Sequence, residues 1–426
     1  MNFFKTVALR NGAIRRFYFA AGLSIALSTA AHAEVKLDFW DQQWGPDSYS
    51  QSAKALVDEY NASQSDIKVT YRSVPWTNWY ETYVTAISSG SAPDLSTGAG
   101  FMAAQFYSMD AIEPVDDLVK QMQADGSAAD FLPGTIDSMK YKDHYVALPW
   151  QIDIRMIYYN KDLLAKKGIP VPKTWAEMQA AAKAATGGGT YGLVSAGDTN
   201  AVHWILASSI NAGGGLFGAD GKPALDSGPA LDAAKFLGSF AANGSLNPAS
   251  AGYSTDDARG SFLRGEAAFF LDGPGVTARA GDKAAMVGIL DPITSPSGAK
   301  GTIYWVNNVM VYKQSKHPKE TMKFLKWLSD HEVKLWSKGA SCCIPVRQSF
   351  LKDAYFKDNT DINTAVAKYV PIAKPMSAPV GGTFPQLNAI DGDGFLASMG
   401  QQLWQGIDPA KAAAQAQAHL VELMAK

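Results

Sequence analysis

An acid and a base lie two residues apart in an otherwise apolar stretch, at Asp153 and Arg155. Charged side chains rarely occupy such a position unless they pair with each other or face a solvated cleft. In an extended strand both side chains point to the same face. A carboxylate there can accept hydrogen bonds from hydroxyl groups of a ligand, each contributing ~1.5–3 kcal/mol. Asp153 is therefore a candidate ligand contact, and Arg155 is either its structural partner or a site for an anionic ligand.

Amide and indole side chains follow the first predicted strand. Gln42 and Gln43 can both donate and accept hydrogen bonds, and the face of Trp44 can stack on an apolar ring face. The alternative for this group is a simple capped turn. Four further candidates lie at or near predicted strands and carry an indole, an amide or no side chain; they are Trp76, Gly98, Trp305 and Asn307. For Trp76 the alternative is a place in the core.

Two more charged residues are candidates for contact with a polar ligand. Asp272 precedes a Gly-Pro-Gly turn at 273–275 and is placed to contact hydroxyl groups. Arg347 is a candidate for binding an anionic or polyhydroxy ligand. His203 and Trp204, at the start of a predicted helix, are expected to be a surface histidine and a core tryptophan.

The elements that must position these side chains alternate between strands and helices. Over residues 35–98 a βαβαβ rhythm predicts a parallel sheet covered by helices, with ligand-facing loops at the carboxyl ends of the strands. Because Pro149 cannot donate to a sheet ladder, we expect the chain to leave one sheet there and enter another. The rhythm then restarts, and a strand at 303–312 returns to the first pattern. The sequence therefore predicts two α/β lobes.

The first 33 residues have the composition of a secretory signal peptide. A basic segment with the Arg15-Arg16 pair precedes an apolar core at 17–30, and Ala-His-Ala at 31–33 forms a small-x-small cleavage site. The arginine pair leaves the twin-arginine export route open beside the general one. Because no cysteine lies near the cleavage site, a lipid anchor is not expected, and the mature protein is predicted to be free in the periplasm.

The composition restricts the partners. A formal net charge of −2 over 426 residues gives no basic surface for nucleic acid or an anionic membrane. The length allows two lobes, since single cores rarely grow past ~250–300 residues. No phosphate loop, zinc-binding helix or serine-nucleophile turn is present, so we expect no cofactor or metal.

Several segments in order resemble the extracellular solute-binding proteins of carbohydrate ABC transporters, the family that includes maltose-binding protein. They are Ser-Ala-Pro-Asp at 91–94, Leu-Pro at 148–149, Tyr-Tyr-Asn-Lys-Asp-Leu at 158–163, the segments 168–178, 262–268 and 315–328, and Trp-Gln-Gly at 404–406. Each is weak alone, but their order and spacing over nearly the whole mature chain are specific.

The resemblance implies two discontinuous α/β lobes of the type II periplasmic binding protein kind, joined by hinge strands. The predicted N-terminal lobe comprises 34–150 and 301–344, and the predicted C-terminal lobe comprises 151–300 and 345–426. The implied function is to capture a small carbohydrate in the cleft between the lobes and to deliver it, as a monomer, to permease subunits in the inner membrane. The family also places a ligand-binding acid at the position of Asp153.

One residue departs from the family. A tryptophan often follows its Gly-Pro pair directly, but Gly275 stands there in this chain and cannot stack on a ring. This favours a ligand of one to three sugar units, a polyol or a substituted glycoside over a long malto-oligosaccharide. Two alternatives stay open: a secreted carbohydrate-active enzyme using Asp153 and Asp272, and a binder of phosphorylated or sulfonated sugars using Arg155 and Arg347.

The cysteines Cys342 and Cys343 are adjacent and are the only two in the chain. In an oxidising compartment they could close a vicinal disulfide that stiffens the loop between the lobes, or they could be two buried thiols. We favour the disulfide, because an exposed pair of thiols in the periplasm would tend to oxidise.

Overall fold

The computed structural model describes residues 34–425. The predicted signal peptide at 1–33 lies outside the described residues. Among the helices within 34–425, none combines the length and the apolar character needed to cross a bilayer.

The described chain alternates between strands and helices throughout. The strands are β1 (Val35–Gln42), β2 (Ile67–Val74), β3 (Leu95–Gly98), β4 (Ile112–Glu113), β5 (Lys140–Tyr141), β6 (His144–Tyr145), β7 (Leu148–Ile154), β8 (Met156–Asn160), β9 (Tyr191–Leu193), β10 (Ala267–Asp272), β11 (Val287–Ile289), β12 (Thr302–Tyr312), β13 (Ile344–Pro345) and β14 (Ala373–Lys374). The helices are α1 (Asp47–Ser63), α2 (Trp79–Ser89), α3 (Met102–Ser108), α4 (Asp116–Ala124), α5 (Lys161–Lys166), α6 (Trp175–Ala185), α7 (Thr199–Asn211), α8 (Gly228–Ala242), α9 (Thr255–Arg264), α10 (Val276–Arg279), α11 (Pro318–His331), α12 (Lys334–Ser337), α13 (Ala354–Lys357), α14 (Thr360–Thr364), α15 (Gln386–Gly392), α16 (Phe395–Trp404) and α17 (Pro409–Met424).

The first sheet has the strand order β13-β7-β12-β3-β1-β2, with β4 and β14 paired to β12. Strand β1 runs parallel to β2 and β3, whereas β12 runs antiparallel to β3 and β7. The register of β1 on β2 continues to the pair Gln42–Val74. Both strands therefore end at the same edge, which brings Gln43 beside the Pro75-Trp76 segment.

The second sheet has the order β11-β8-β10-β9. Strands β9 and β10 are parallel, but β8 runs antiparallel to both β10 and β11. Strand β10 carries the predicted apolar run and is buried along its length up to Asp272. The carboxyl end of β10 thus presents Asp272 and the following Gly-Pro-Gly turn at the sheet edge.

The chain changes sheets at Arg155, and the predicted change at Pro149 is wrong. Strand β7 stays in the first sheet through Ile154, and β8 begins the second sheet at Met156. Pro149 is accommodated by an irregularity in the ladder, where the register of β12 shifts between Asn307 and Asn308. A bulge is one of the few places where a sheet tolerates the missing donor of a proline.

Arg155 and the start of β12 form a second, adjacent crossing. The Arg155 amide donates to the Ile303 carbonyl at 3.2 Å, and the Thr302 hydroxyl donates to the Arg155 carbonyl at 2.7 Å. The two crossing segments are therefore bonded to each other where the sheets meet. The lobe boundaries given by the sequence stay a prediction.

Helices cover the sheets with the faces that their periodicity predicts. In α1 the buried residues recur at helical spacing; they are Tyr49, Ala53, Leu56, Val57 and Tyr60. Helix α6 begins with Thr174, whose side chain accepts from the Glu177 amide, and α9 begins with a capping box between Ser254 and Asp257. Such caps satisfy donors that the first helical turn leaves free.

Candidate functional site

A cleft of ≈ 440 Å³ lies where the carboxyl ends of strands from both sheets meet. The predicted site residues that line it are Gln43, Trp44, Trp76, Asp153, Arg155, Asp272, Trp305 and Asn307, and Cys342 lies beside them. The first and last of these predicted site residues, Gln43 and Asn307, lie more than 250 positions apart in the chain. The sheet edges and the two crossing segments bring them together.

One wall of the cleft is aromatic. The Trp44 and Trp76 rings meet edge to face with centroids 4.9 Å apart, and Trp79 lies 6.1 Å from Trp76. Trp76 is 40% exposed, so the alternative of a core position is wrong for it. Its indole nitrogen donates to the Gln43 carbonyl at 2.9 Å. This bond fixes the ring so that an apolar face stays available to the cleft.

Asp153 and Arg155 form a bidentate ion pair on the cleft wall. Arg155 Nη2 lies 2.8 Å from Asp153 Oδ2, and Nη1 contacts Oδ1. Both residues also line the cleft. The sequence treated a structural pair and a ligand contact as alternatives, yet the geometry allows both, because a paired carboxylate keeps lone pairs for a further donor.

His203 supports the guanidinium of Arg155 from the other side. Its Nδ1 accepts from Arg155 Nε at 2.8 Å, and its ring meets that of Trp305 at 5.0 Å. Burial and the charge of Arg155 lower the pKa of His203 well below its usual value, so the imidazole is neutral. The expected surface histidine is therefore wrong, whereas Trp204 is in the core as predicted.

Asp272 is held in a second ion pair, with Arg259 of α9. Arg259 Nε lies 2.7 Å from Asp272 Oδ2, and the Gly273 amide donates to Oδ1 at 2.8 Å. Burial favours the neutral carboxyl, but Arg259 outweighs it and lowers the pKa of Asp272. A β-carbon on Gly273 would lie 3.0 Å from Asp153 Oδ1 and 3.1 Å from Arg155 Nη1, so a larger residue there would push this ion pair by a few tenths of an ångström.

Two polar groups on the floor of the cleft have no protein partner among residues 34–425. They are Asn307 Nδ2 and Trp305 Nε1, on side chains that are 3% and 5% exposed. In contrast, the Nδ2 of the neighbouring Asn308 donates to the Ala99 and Gly100 carbonyls at 3.1 and 3.2 Å. Buried donors without partners are costly, so these two are suited to acceptors that a ligand brings.

Three predicted contacts lie away from the cleft. The Gln42 side chain is fully buried, and Gly98 packs against Met310. Arg347 is 3% exposed and is held by Ser329 and Asp330. The prediction that Arg347 meets a ligand does not fit this placement, because its guanidinium is buried and already bonded to Ser329 and Asp330 of α11.

The two cysteines are thiols in the structure. Their Sγ atoms lie 2.7 Å apart, Cys343 is buried, and Cys342 borders the cleft. The Cys342 amide donates to the Trp44 carbonyl at 2.8 Å. The cysteine loop is thus bonded to the segment that carries the aromatic wall, and the disulfide stays a prediction.

Sequence reasoning missed several residues that line the cleft: Trp79, Asp198, Arg259, Arg279 and Asp391. Asp198 follows β9 at a sheet edge where ligand-facing loops are expected, so that rule could have found it. Asp391 lies in the C-terminal tail on α15, and no local pattern marks it.

Comparison with known proteins gives a consistent picture. A family model described as bacterial extracellular solute-binding protein matches residues 46–335. A putative binding protein of Brucella abortus (strain 2308) is 28% identical over 353 residues, which are 80% of this chain and 84% of that protein. The maltotriose-binding protein of Pyrococcus abyssi is 25% identical over 350 residues, 78% of this chain and 72% of that protein.

A solved structure is similar over almost the whole described chain. The crystal structure of a sugar transporter from Arthrobacter chlorophenolicus A6 with bound laminaribiose has a TM-score of 0.86 and 30% sequence identity. The match covers 91% of this chain and 98% of that chain.

Proposed function

Because the chain belongs to the bacterial extracellular solute-binding proteins, we propose that it captures a small carbohydrate in its cleft for an ABC importer. The fold is that of type II periplasmic binding proteins, with two α/β lobes. The proposed ligand is a mono- to trisaccharide, a polyol or a substituted glycoside. The proposed partners are the permease subunits of the inner membrane, and the proposed location is the periplasm.

The observation that carries this proposal is that one cleft contains both an exposed indole face and ion-paired carboxylates. Trp76 offers an apolar surface to the C–H face of a sugar ring. Asp153 and Asp272 offer charged acceptors to its hydroxyl groups. A cleft of ≈ 440 Å³ also lies within the range of small-molecule sites, ~300–1,000 Å³.

The alternative of a glycosidase that uses Asp153 and Asp272 does not fit the ion pairs of these two residues. A glycosidase needs one carboxylic acid that stays protonated near neutral pH to donate to the leaving group. Arg155 pairs with Asp153, and Arg259 lowers the pKa of Asp272. Asp272 is therefore held in the ionised form, and Asp153 is engaged by the guanidinium of Arg155; both arrangements suit an acceptor of hydrogen bonds and not a general acid.

Thermal unfolding in the presence of saccharides tests the proposal. The panel contains laminaribiose, maltotriose, maltose, glucose and ribitol. The protein in buffer without any carbohydrate is the reference. A ligand at 100 times its dissociation constant stabilises the folded state by ~2.7 kcal/mol, so a binder raises the midpoint by several degrees. Calorimetry then gives the affinity. A panel without any stabilising carbohydrate, or product release from a glycoside, would contradict the proposal.

A further inference from the structure

Asp391 is a carboxylate on the cleft wall that no protein group neutralises. It lies in α15, next to the end of the helix, and its carboxylate makes no hydrogen bond or ion pair to any residue between 34 and 425. The side chain is half-buried, so it is screened from bulk solvent while it faces the cleft. A carboxylate in such a place is costly unless something else supplies a donor.

The packing of α15 fixes this carboxylate in position. Asn388 Nδ2 donates to Gln105 Oε1 at 2.5 Å, and Gln105 Nε2 donates to the Tyr80 hydroxyl at 2.9 Å. A β-carbon on Gly392 would lie 3.2 Å from the Tyr80 ring. The tail helix is thus bonded to α3 and packed on α2, on the side of the aromatic wall. Asp391 therefore faces the cleft through a defined set of contacts.

The charges around Asp391 favour a ligand that is not anionic. The cleft is lined by five carboxylates, of Asp153, Asp198, Asp256, Asp272 and Asp391, and by three guanidinium groups, of Arg155, Arg259 and Arg279. Arg155 and Arg259 are engaged in ion pairs with aspartates. Burial, opposed by Arg155 and aided by Asp153, raises the pKa of Asp391 to about 7. Above that pH, where Asp391 is ionised, the carboxylates outnumber the guanidinium groups by two, and Asp391 is the one without a hydrogen-bond or ion-pair partner among residues 34–425.

The groups that lack partners require a ligand with both donors and acceptors. Asn307 Nδ2 and Trp305 Nε1 need acceptors, whereas the Asp391 carboxylate needs a donor. A hydroxyl group supplies both functions. A phosphate, sulfonate or carboxylate supplies acceptors alone and would add like charge next to Asp153 and Asp391.

We propose that Asp391 determines ligand class: its unpaired carboxylate accepts a hydrogen bond from a hydroxyl of a neutral sugar and excludes sugars that carry an anionic group. This inference rests on the proposed carbohydrate-binding function. It assigns the selectivity to the C-terminal segment of the chain, where α15 brings Asp391 to the same cleft as the ion-paired aspartates.

The test measures affinities of Asp391→Asn and Asp391→Ser by calorimetry. The probes are laminaribiose, glucose and glucose 6-phosphate, and the control is Asp226→Asn, which removes one exposed carboxylate outside the cleft. Loss of a charge-assisted bond of ~1.5–3 kcal/mol corresponds to about 10- to 100-fold weaker binding of the neutral sugar. The preference for glucose over glucose 6-phosphate should shrink in both variants, while the control keeps the wild-type values.

The outcomes separate the two proposals. If the wild-type protein binds a neutral sugar but both Asp391 variants bind it as the control does, Asp391 is not a contact and this inference fails alone. Tighter binding of glucose 6-phosphate than of glucose by the wild-type protein overturns the exclusion of anions. If the wild-type protein binds no carbohydrate probe, the proposed function fails and takes this inference with it. Circular dichroism confirms that each variant is folded.

Discussion

The indole nitrogen of Trp76 donates a hydrogen bond of 2.9 Å to the backbone carbonyl of Gln43. The two residues follow the ends of the parallel strands β2 and β1. This bond turns an exposed tryptophan into a rigid surface of the cleft, since the ring cannot rotate without losing the bond. Rigid aromatic surfaces bind at a low cost in conformational entropy, because fewer rotamers are lost when the ligand arrives.

Replacing Trp76 by Ala should weaken carbohydrate binding by at least about tenfold, because a buried apolar contact of this size contributes ~1.5–3 kcal/mol. Trp76→Phe should lose less, since it keeps a ring but not the bond to Gln43. Val380→Ala, at another exposed apolar side chain, is the matched control. Calorimetric titration with laminaribiose measures the effect; equal affinity in Trp76→Ala and the control would remove Trp76 from the site.

Asp153→Ala should affect both binding and stability. Loss of the acceptor weakens binding by more than about tenfold, and the loss of its partner leaves Arg155, with a side chain 8% exposed, without its ion pair. Breaking a buried pair in this way costs ~3 kcal/mol at most here, since His203 still accepts from Arg155. Asp153→Asn should bind weakly but unfold closer to the wild type.

Urea unfolding of the two Asp153 variants, beside Asp226→Asn, separates these effects. The expected order of the free energy of unfolding is the control first, Asp153→Asn second and Asp153→Ala last. An Asp153→Ala protein that is as stable as the control would show that Arg155 does not depend on its partner.

Asp41 should make stability fall as pH rises. It is fully buried and accepts from Thr97 at 2.7 Å, from Tyr71 at 3.2 Å and from Tyr49 at 3.3 Å. Burial outweighs these bonds and raises its pKa from 3.8 to about 7. Between these values the folded state binds the proton that the unfolded state has lost, so the free energy of unfolding decreases with rising pH.

The decrease attributable to Asp41 is at most about 4 kcal/mol, at ~1.4 kcal/mol for each pKa unit. Urea unfolding at about pH 4.5 and about pH 7.5 measures it. Asp41→Asn should flatten the profile but not abolish its slope, because burial raises the pKa of Glu332 in the same direction. A wild-type protein that is equally stable at both pH values would contradict the argument.

The cysteine pair is expected to be oxidised in protein taken from the periplasm. Alkylation without a reducing agent, followed by mass spectrometry, should leave Cys342 and Cys343 unmodified, and reduction should expose both. Two alkylated cysteines before reduction would mean that the thiol form is the native one. A Cys342→Ser, Cys343→Ser double variant should then bind carbohydrate as the wild type does.

Local patterns in the sequence predicted the elements well. The sequence predicts a strand from Ile67 to Val74 and a last amphipathic helix that opens at Asp408-Pro409 and runs to Met424, and the structure has β2 and α17 at these positions. The sheet change at Arg155 was missed, because the bulge that accommodates Pro149 depends on β12, more than 150 residues later. The rule about proline uses only the neighbouring residues in the sequence, so it cannot take into account the pairing of β7 with the distant strand β12.

The site was predictable where candidates follow strand ends. Trp76 and Asp272 were found in this way, because parallel strands collect their carboxyl ends at one edge. Arg347 and Asp391 could not be assigned from the sequence. Arg347 was predicted to contact a ligand but is paired with Asp330. Asp391 was not a candidate but lines the cleft. Whether a charged side chain is paired or remains able to bind a ligand depends on contacts between segments that are distant in the sequence.

The bonded crossing at Arg155 has a mechanical consequence. If the lobes rotate about this point, the displacement of each group grows with its distance from the rotation axis. Groups beside the axis then move little, and distant groups move far. Asp153 lies next to the axis, while Trp76 follows β2, three strands away from β12 and so ~14 Å distant. Because β7 and β2 belong to the same sheet, Asp153 and Trp76 would keep their spacing during this rotation, and the residues of the second sheet that lie farthest from Arg155 would travel the longest way toward them.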